Sequence, residues 1–151
     1  MNSELKYRKS YEETQKHIDR LKKAFEILKS KNLTPLDREK VEKILNDEYL
    51  TAILDQIVYR YSKLQDSLSK LIRNYLYLKG ENVENLTMID VLNKAEKFEI
   101  GINKEKWLKL RELRNILVHE YEDEKSKIAE TLNKIYKELD YFKNLLEKLK
   151  L

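Results

Sequence analysis

An all-α fold follows from three features of this sequence. Turn formers are nearly absent, with two Gly and one Pro in 151 residues, so the backbone has few points at which to reverse. Apolar residues recur at alternating steps of three and four, the spacing that gathers side chains on one face of a helix. Capping residues stand where those runs break. Together they predict an antiparallel up-and-down bundle of four to six helices in a single domain, residues 1–151.

The first helix, from about Ser3 to Lys29, carries Tyr7, Tyr11, Thr14, Ile18, Leu21, Phe25 and Leu28 as one narrow stripe. His17 lies beside that stripe, near Lys16 and Arg20, and reads as a solvated or rim histidine. Thr34-Pro35-Leu36-Asp37 predicts a helix start, with Thr34 as the cap, Pro35 in the first helical position and Asp37 closing a capping box. That short helix runs to about Asn46.

From Glu48 to Lys79 there is neither Gly nor Pro, and Leu50, Ile53, Leu54, Ile57, Tyr61, Leu64, Leu68, Leu71, Ile72 and Tyr75 mark a buried face. Gly80 is placed to end the helix in a left-handed cap. At 1.5 Å per residue such a helix is about 45 Å long, the spine of the bundle and a candidate dimer surface. Arg60 and Asp66 flank its apolar stripe, either as ion-pair partners between helices or protomers or as neighbours of a catalytic cleft. After a loop over 80–86, Thr87 and Asp90 cap a short helix that ends near Gly101. A helix from about Lys104 to Val118 follows. The last, from about Glu124, repeats Ile128, Leu132, Ile135, Leu139, Phe142, Leu146 and Leu149, matching the first helix and predicting that the two terminal helices pack side by side.

Composition narrows the function classes. With no Cys there is no disulfide framework and no thiolate metal site. No run of about 18 apolar residues occurs, and the N-terminus lacks an apolar leader segment, which predicts a cytoplasmic protein with no membrane association. A net charge of +4 and a pI of about 9.0 permit nucleic-acid binding without demanding it. Charged residues make up 38% of the chain, mostly Lys and Glu, a bias that fits the surface ion-pair networks of hyperthermophiles.

One stretch reads as chemistry: Arg114-Asn115-Ile116-Leu117-Val118-His119-Glu120-Tyr121. Arg offers a permanently charged, planar fork of donors that matches phosphate, and His is the side chain that exchanges protons near neutrality. Arg114 shares a helical stripe with Trp107, Leu110, Leu117, Val118 and Tyr121, where a charge needs a partner or a wet groove. On a straight helix, five residues turn Arg114 and His119 about 140° apart, so the two do not converge. Either the helix ends near Val118 and the backbone swings His119 round, or two copies pair across a two-fold axis. The plain structural alternative is that Arg114 pairs with an acid such as Glu112 or Asp66 while His119 caps the helix end.

No HExxH, Cys/His cluster, glycine-rich phosphate loop or aspartate-rich run is present, so metal-assisted hydrolysis and nucleotide phosphoryl transfer lack their usual parts. Metal-free RNA cleavage needs only a base for the 2′-hydroxyl proton, an acid for the leaving oxygen and positive charge on the phosphorane. Asn115 can orient the phosphate or the imidazole. Lys104, Lys106, Lys109 and Arg111 lie upstream, either to follow an RNA backbone or as a solvated basic face.

Arg114, four residues, His119, one residue, Tyr121 resembles the signature of the HEPN superfamily, in particular of HepT-like toxins and the related nucleotidyltransferase substrate-binding proteins. The stretch Tyr59-Arg60-Tyr61-Ser62-Lys63-Leu64-Gln65-Asp66 resembles their aromatic-flanked arginine helix, and the likeness covers roughly residues 10 to 150 in the same element order. The resemblance implies the toxin of a toxin–antitoxin pair, an endoribonuclease that uses Arg114 and His119 of two protomers at a shared cleft. Asn115, Asp66 and Arg60 would support the site, with no metal and no cofactor. It also implies a cognate minimal nucleotidyltransferase antitoxin that adenylylates Tyr121, placing bulk and negative charge beside the arginine. The alternative is a non-catalytic helical partner that binds and regulates a nucleotidyltransferase.

Overall fold

The computed structural model describes residues 2–119 and 124–151. Six α-helices make up about four-fifths of the described residues, among which there is no strand: α1 (Ser3–Ser30), α2 (Arg38–Leu45), α3 (Glu48–Leu78), α4 (Met88–Ala95), α5 (Lys104–His119) and α6 (Lys125–Leu149). The N-termini of α1 to α4 are capped by short polar side chains. Asn2 accepts from the Leu5 amide, Asp37 from Lys40, Asp47 from Leu50 and Thr87 from Asp90, each satisfying a donor that the first turn leaves open. At the other end of α3, Gly80 adopts φ 87°, the left-handed conformation its position predicts.

The terminal helices lie side by side and antiparallel. The Tyr7 hydroxyl donates to the Leu149 carbonyl and Tyr11 to Leu146, while further along α1 the Phe25 ring stacks on Tyr136 at 4.8 Å. Between α1 and α3 the direction also reverses, since Asn74 donates to Ser10 and the hydroxyls of Thr14 and Ser67 meet one another. α3 is the spine. Leu54, Ile57, Tyr61, Leu64, Leu68, Leu71 and Ile72 along it are wholly inaccessible, and each such Leu contributes about 2–5 kcal/mol against truncation to Ala.

Two element boundaries differ from the reading of the sequence. Thr34 does not cap α2; Asp37 does. The reason is tertiary: the Asn133 side chain on α6 accepts from the Leu36 amide and donates to the Leu36 carbonyl, both at 2.8 Å. Leu33 and Leu36 are buried there, so the Thr34–Pro35 segment is held as a linker and the helix starts after it. α4 also stops at Ala95, short of Gly101. A turn of 3₁₀ helix follows, and left-handed residues Glu99 (φ 51°) and Gly101 (φ 90°) carry the chain so that Ile100 and Ile102 reach the core.

His17 is neither solvated nor at the rim. It is 6% exposed, inside the α1–α3 seam, with Nδ1 3.1 Å from an Arg60 guanidinium nitrogen. Arg can only donate, so Nδ1 accepts and the imidazole is neutral with its proton on Nε2. Glu13 stands 3.7 Å from Nε2, too far for a hydrogen bond. Burial, and then the Arg60 charge, hold the His17 pKa below its ordinary value, outweighing the opposite pull of Glu13.

This fixes the sign of a pH effect. The unfolded chain takes up a proton near pH 6.5, whereas the folded chain resists it to lower pH, so stability is lost as pH falls below about 6.5. The expected outcome is that the chemical-denaturation midpoint of the wild type falls between about pH 7.5 and 5.5 by more than that of His17→Gln, which keeps an acceptor but cannot titrate. Equal falls in the two proteins would show that His17 does not carry the effect.

Candidate functional site

The site is built on α5, which is fastened at both flanks. Its N-terminus is capped by Asn103, whose side chain accepts from the Lys106 amide at 2.9 Å. Trp107, Leu110 and Leu117 bury one side of the helix. Against α3, the Tyr61 hydroxyl donates to the Leu110 carbonyl at 2.8 Å, and burial pushes the Tyr61 phenol well above its ordinary pKa, keeping it a neutral donor. Against α6, Lys106 Nζ reaches Glu138 at 2.7 Å and lies 4.3 Å from the centre of the Tyr141 ring. Tyr141 in turn donates to the Gly101 carbonyl; burial, with Glu138 nearby, pushes its phenol up to about 12. Lys106 is therefore a structural cation rather than part of an open basic face.

Arg114 continues the buried row of α5 but at its margin. Its side chain is 34% exposed, and one guanidinium nitrogen is 3.9 Å from the Asp66 carboxylate on α3, a contact of charges rather than a hydrogen bond. Of the two acids that the sequence offers Arg114, Asp66 is the one at hand. Arg60 is elsewhere: it turns into the α1–α3 seam toward His17, so it does not join Arg114 and Asp66.

α5 stays helical through His119, its last residue, which removes the possibility that the backbone turns at Val118 to bring His119 round. His119 and Asn115 are both exposed and, one turn apart, share a face. Arg114 points about 140° away from His119. Within one copy of the chain the two residues are therefore not brought together, and the cation in register with Asn115 and His119 is the exposed Arg111. Lys104 lies on that same side, while the exposed Lys109 projects about 120° from Asn115. Tyr121 lies outside the described residues.

Two features were not anticipated from the sequence. The Gln65 side chain is buried, with its amide nitrogen unbonded among the described residues. Arg73 on α3 is half-buried and faces an open groove. Gln65 lies within the Tyr59–Asp66 stretch, which assigns it no role, and Arg73 sits in no motif, so only the register of α3 could have drawn attention to them. No group of His, Cys, Asp and Glu able to hold a metal ion occurs among the described residues. Comparison with protein-family models, curated proteins and solved structures gives no match.

Proposed function

We propose that this chain is a HepT-like toxin, a metal-independent endoribonuclease whose site forms between two copies. The observation that carries the proposal is the unbroken helix through His119. It sets a half-exposed arginine and an exposed histidine on different sides of one rod, an arrangement that becomes a site only when a second α5 faces the first. In such a dimer one His119 takes the 2′-hydroxyl proton as that oxygen attacks phosphorus. The other protonates the departing 5′-oxygen, and the two Arg114 side chains hold the charge of the phosphorane. The products are a 2′,3′-cyclic phosphate and a 5′-hydroxyl. Asn115 sits beside His119 to orient it or the phosphate, and Asp66 keeps Arg114 extended toward the groove. Arg60 is left out of the chemistry because its contact is with His17.

Regulation follows from the same motif. A cognate minimal nucleotidyltransferase would join AMP to Tyr121, and the added phosphate would compete for Arg114 with the RNA. A second reading is favoured by the Arg114–Asp66 contact and by the position of His119 at the helix end, where the macrodipole favours a cation: both residues have a structural use without substrate. The chain would then be a non-catalytic partner of a nucleotidyltransferase.

The ribonuclease reading predicts cleavage of RNA in the presence of chelator. His119→Ala and Arg114→Ala should each lower the rate about 10²- to 10⁴-fold with unchanged helical circular dichroism. Activity that survived His119→Ala, or that vanished with chelator, would contradict this mechanism, and absence of any cleavage by the wild type would leave the non-catalytic reading. Tyr121→Phe should cleave RNA like the wild type yet escape inactivation by the nucleotidyltransferase with ATP. Inactivation of that variant to the same extent would place the inhibition in binding rather than modification.

A further inference from the structure

We infer that the outer face of α3 is a track for single-stranded nucleic acid, with Tyr59 and Tyr77 as stacking platforms at its ends and Lys63, Lys70, Arg73 and Arg114 on the phosphates between them. The inference builds on the ribonuclease reading by naming where the substrate strand lies, but it concerns binding and stands or falls without cleavage.

The register of α3 makes the track. Tyr59, Lys63, Asp66, Lys70, Arg73 and Tyr77 follow one another at steps of four, three, four, three and four, so they share a face within about 80° over about 27 Å. Tyr59 is 51% exposed and Tyr77 60% exposed, so both rings stand open to solvent on this face. The Arg60 and Lys63 cations lie 5.4 and 5.7 Å from the centre of the Tyr59 ring, the mixed aromatic and cationic surface on which bases stack without sequence preference.

Arg73 gives the independent sign of a missing anion. Among the described residues the other half-buried cations, Lys40, Arg60, Lys94, Lys106, Arg114 and Lys125, each have a hydrogen-bond acceptor or a carboxylate within 4 Å. Arg73 has no such partner, although it is partly withdrawn from water in a groove of about 980 Å³ that it shares with Lys6, Asn74 and Tyr77. Two acids line that groove: Glu81, which is engaged by Lys94 and Lys97, and the exposed Glu84, and neither forms an ion pair with Arg73 among the described residues. At mid-track, Arg114 reaches over from α5 to Asp66, so a strand lying along α3 passes the residue assigned to the scissile phosphate.

Charge selects the occupant. Lys63, Lys70 and Arg73 outnumber Asp66 on this face, so a second copy docked on it about a two-fold axis would oppose cations to cations. A polyanion meets them favourably, and the exposed rings suit unstacked bases rather than a closed duplex.

The test uses a fluorescent single-stranded oligodeoxythymidine of about ten nucleotides, which lacks the 2′-hydroxyl and so cannot be cleaved by the proposed chemistry. Anisotropy at low salt should show binding by the full chain, weakened at least about fivefold by Tyr59→Ala and by Tyr77→Ala. The triple variant Lys63→Gln, Lys70→Gln, Arg73→Gln should reduce the slope of log affinity against log salt by about 2. The matched variant on exposed α6 positions, Lys137→Gln, Lys143→Gln, Lys148→Gln, should bind like the wild type. Absence of binding, unaltered binding by the tyrosine variants, or equal losses from the two triple variants would overturn the track. So would conversion of a dimer to a monomer by the α3 substitutions in light scattering, which would make this face an interface between copies. Tight binding without RNA cleavage would sink the ribonuclease reading alone; cleavage with binding indifferent to the α3 substitutions would sink the track alone.

Discussion

The burial of α3 on two flanks is the constraint from which the other features follow. One flank takes α1 through the contacts of Ser10, Thr14 and His17. The other takes α4, α5 and α6 through Ser69 with Met88, Tyr61 with Leu110, and Tyr61 with Phe142 at 6.2 Å. A helix covered from both sides keeps only a strip for solvent, and the exposed Tyr59, Lys63, Asp66, Lys70 and Tyr77 lie on that strip. The same flanks fix α5, since its carbonyl at Leu110 and its arginine at position 114 both meet α3.

Two arginines on these elements show how burial decides use. Arg60 turns inward, where its Nε is buried without an acceptor among the described residues and its fork donates to a neutral imidazole. Withdrawn from water, that cation would be costly to rearrange, and its role is to hold the α1–α3 seam. Arg114 sits at the edge of the α3–α5 seam and keeps a third of its side chain in water. Its long contact with an exposed carboxylate is worth little energetically, so a phosphate can take over the guanidinium at small expense. Of the two, only Arg114 is placed for a ligand.

Much of the fold was legible because period and caps agreed. The alternating steps of three and four located the long helices, and Thr87 and Gly80 marked ends that the structure keeps. Thr34 misled because two hydrogen bonds from Asn133, a residue distant in sequence, outcompete a local capping box. His17 misled for a similar reason: it lies just off the apolar stripe of α1, and only the partner helix decides whether such a residue is covered, here by Arg60. At the site, residue types marked the motif, and the divergence of Arg114 from His119 followed from helix geometry alone. The pairing with Asp66 rather than Glu112 could not, because it depends on how α5 crosses α3.

The central claim is that one groove needs a histidine from each of two copies. It is tested most directly by unfolding wild-type and His119→Ala chains together, refolding them at varied ratios, and measuring RNA cleavage against composition. If one His119 is the base and the other the acid, activity falls with the square of the wild-type fraction, because mixed dimers lack one of the two groups. A fall in simple proportion to the wild-type fraction would mean that each copy carries a complete site, and would contradict the account.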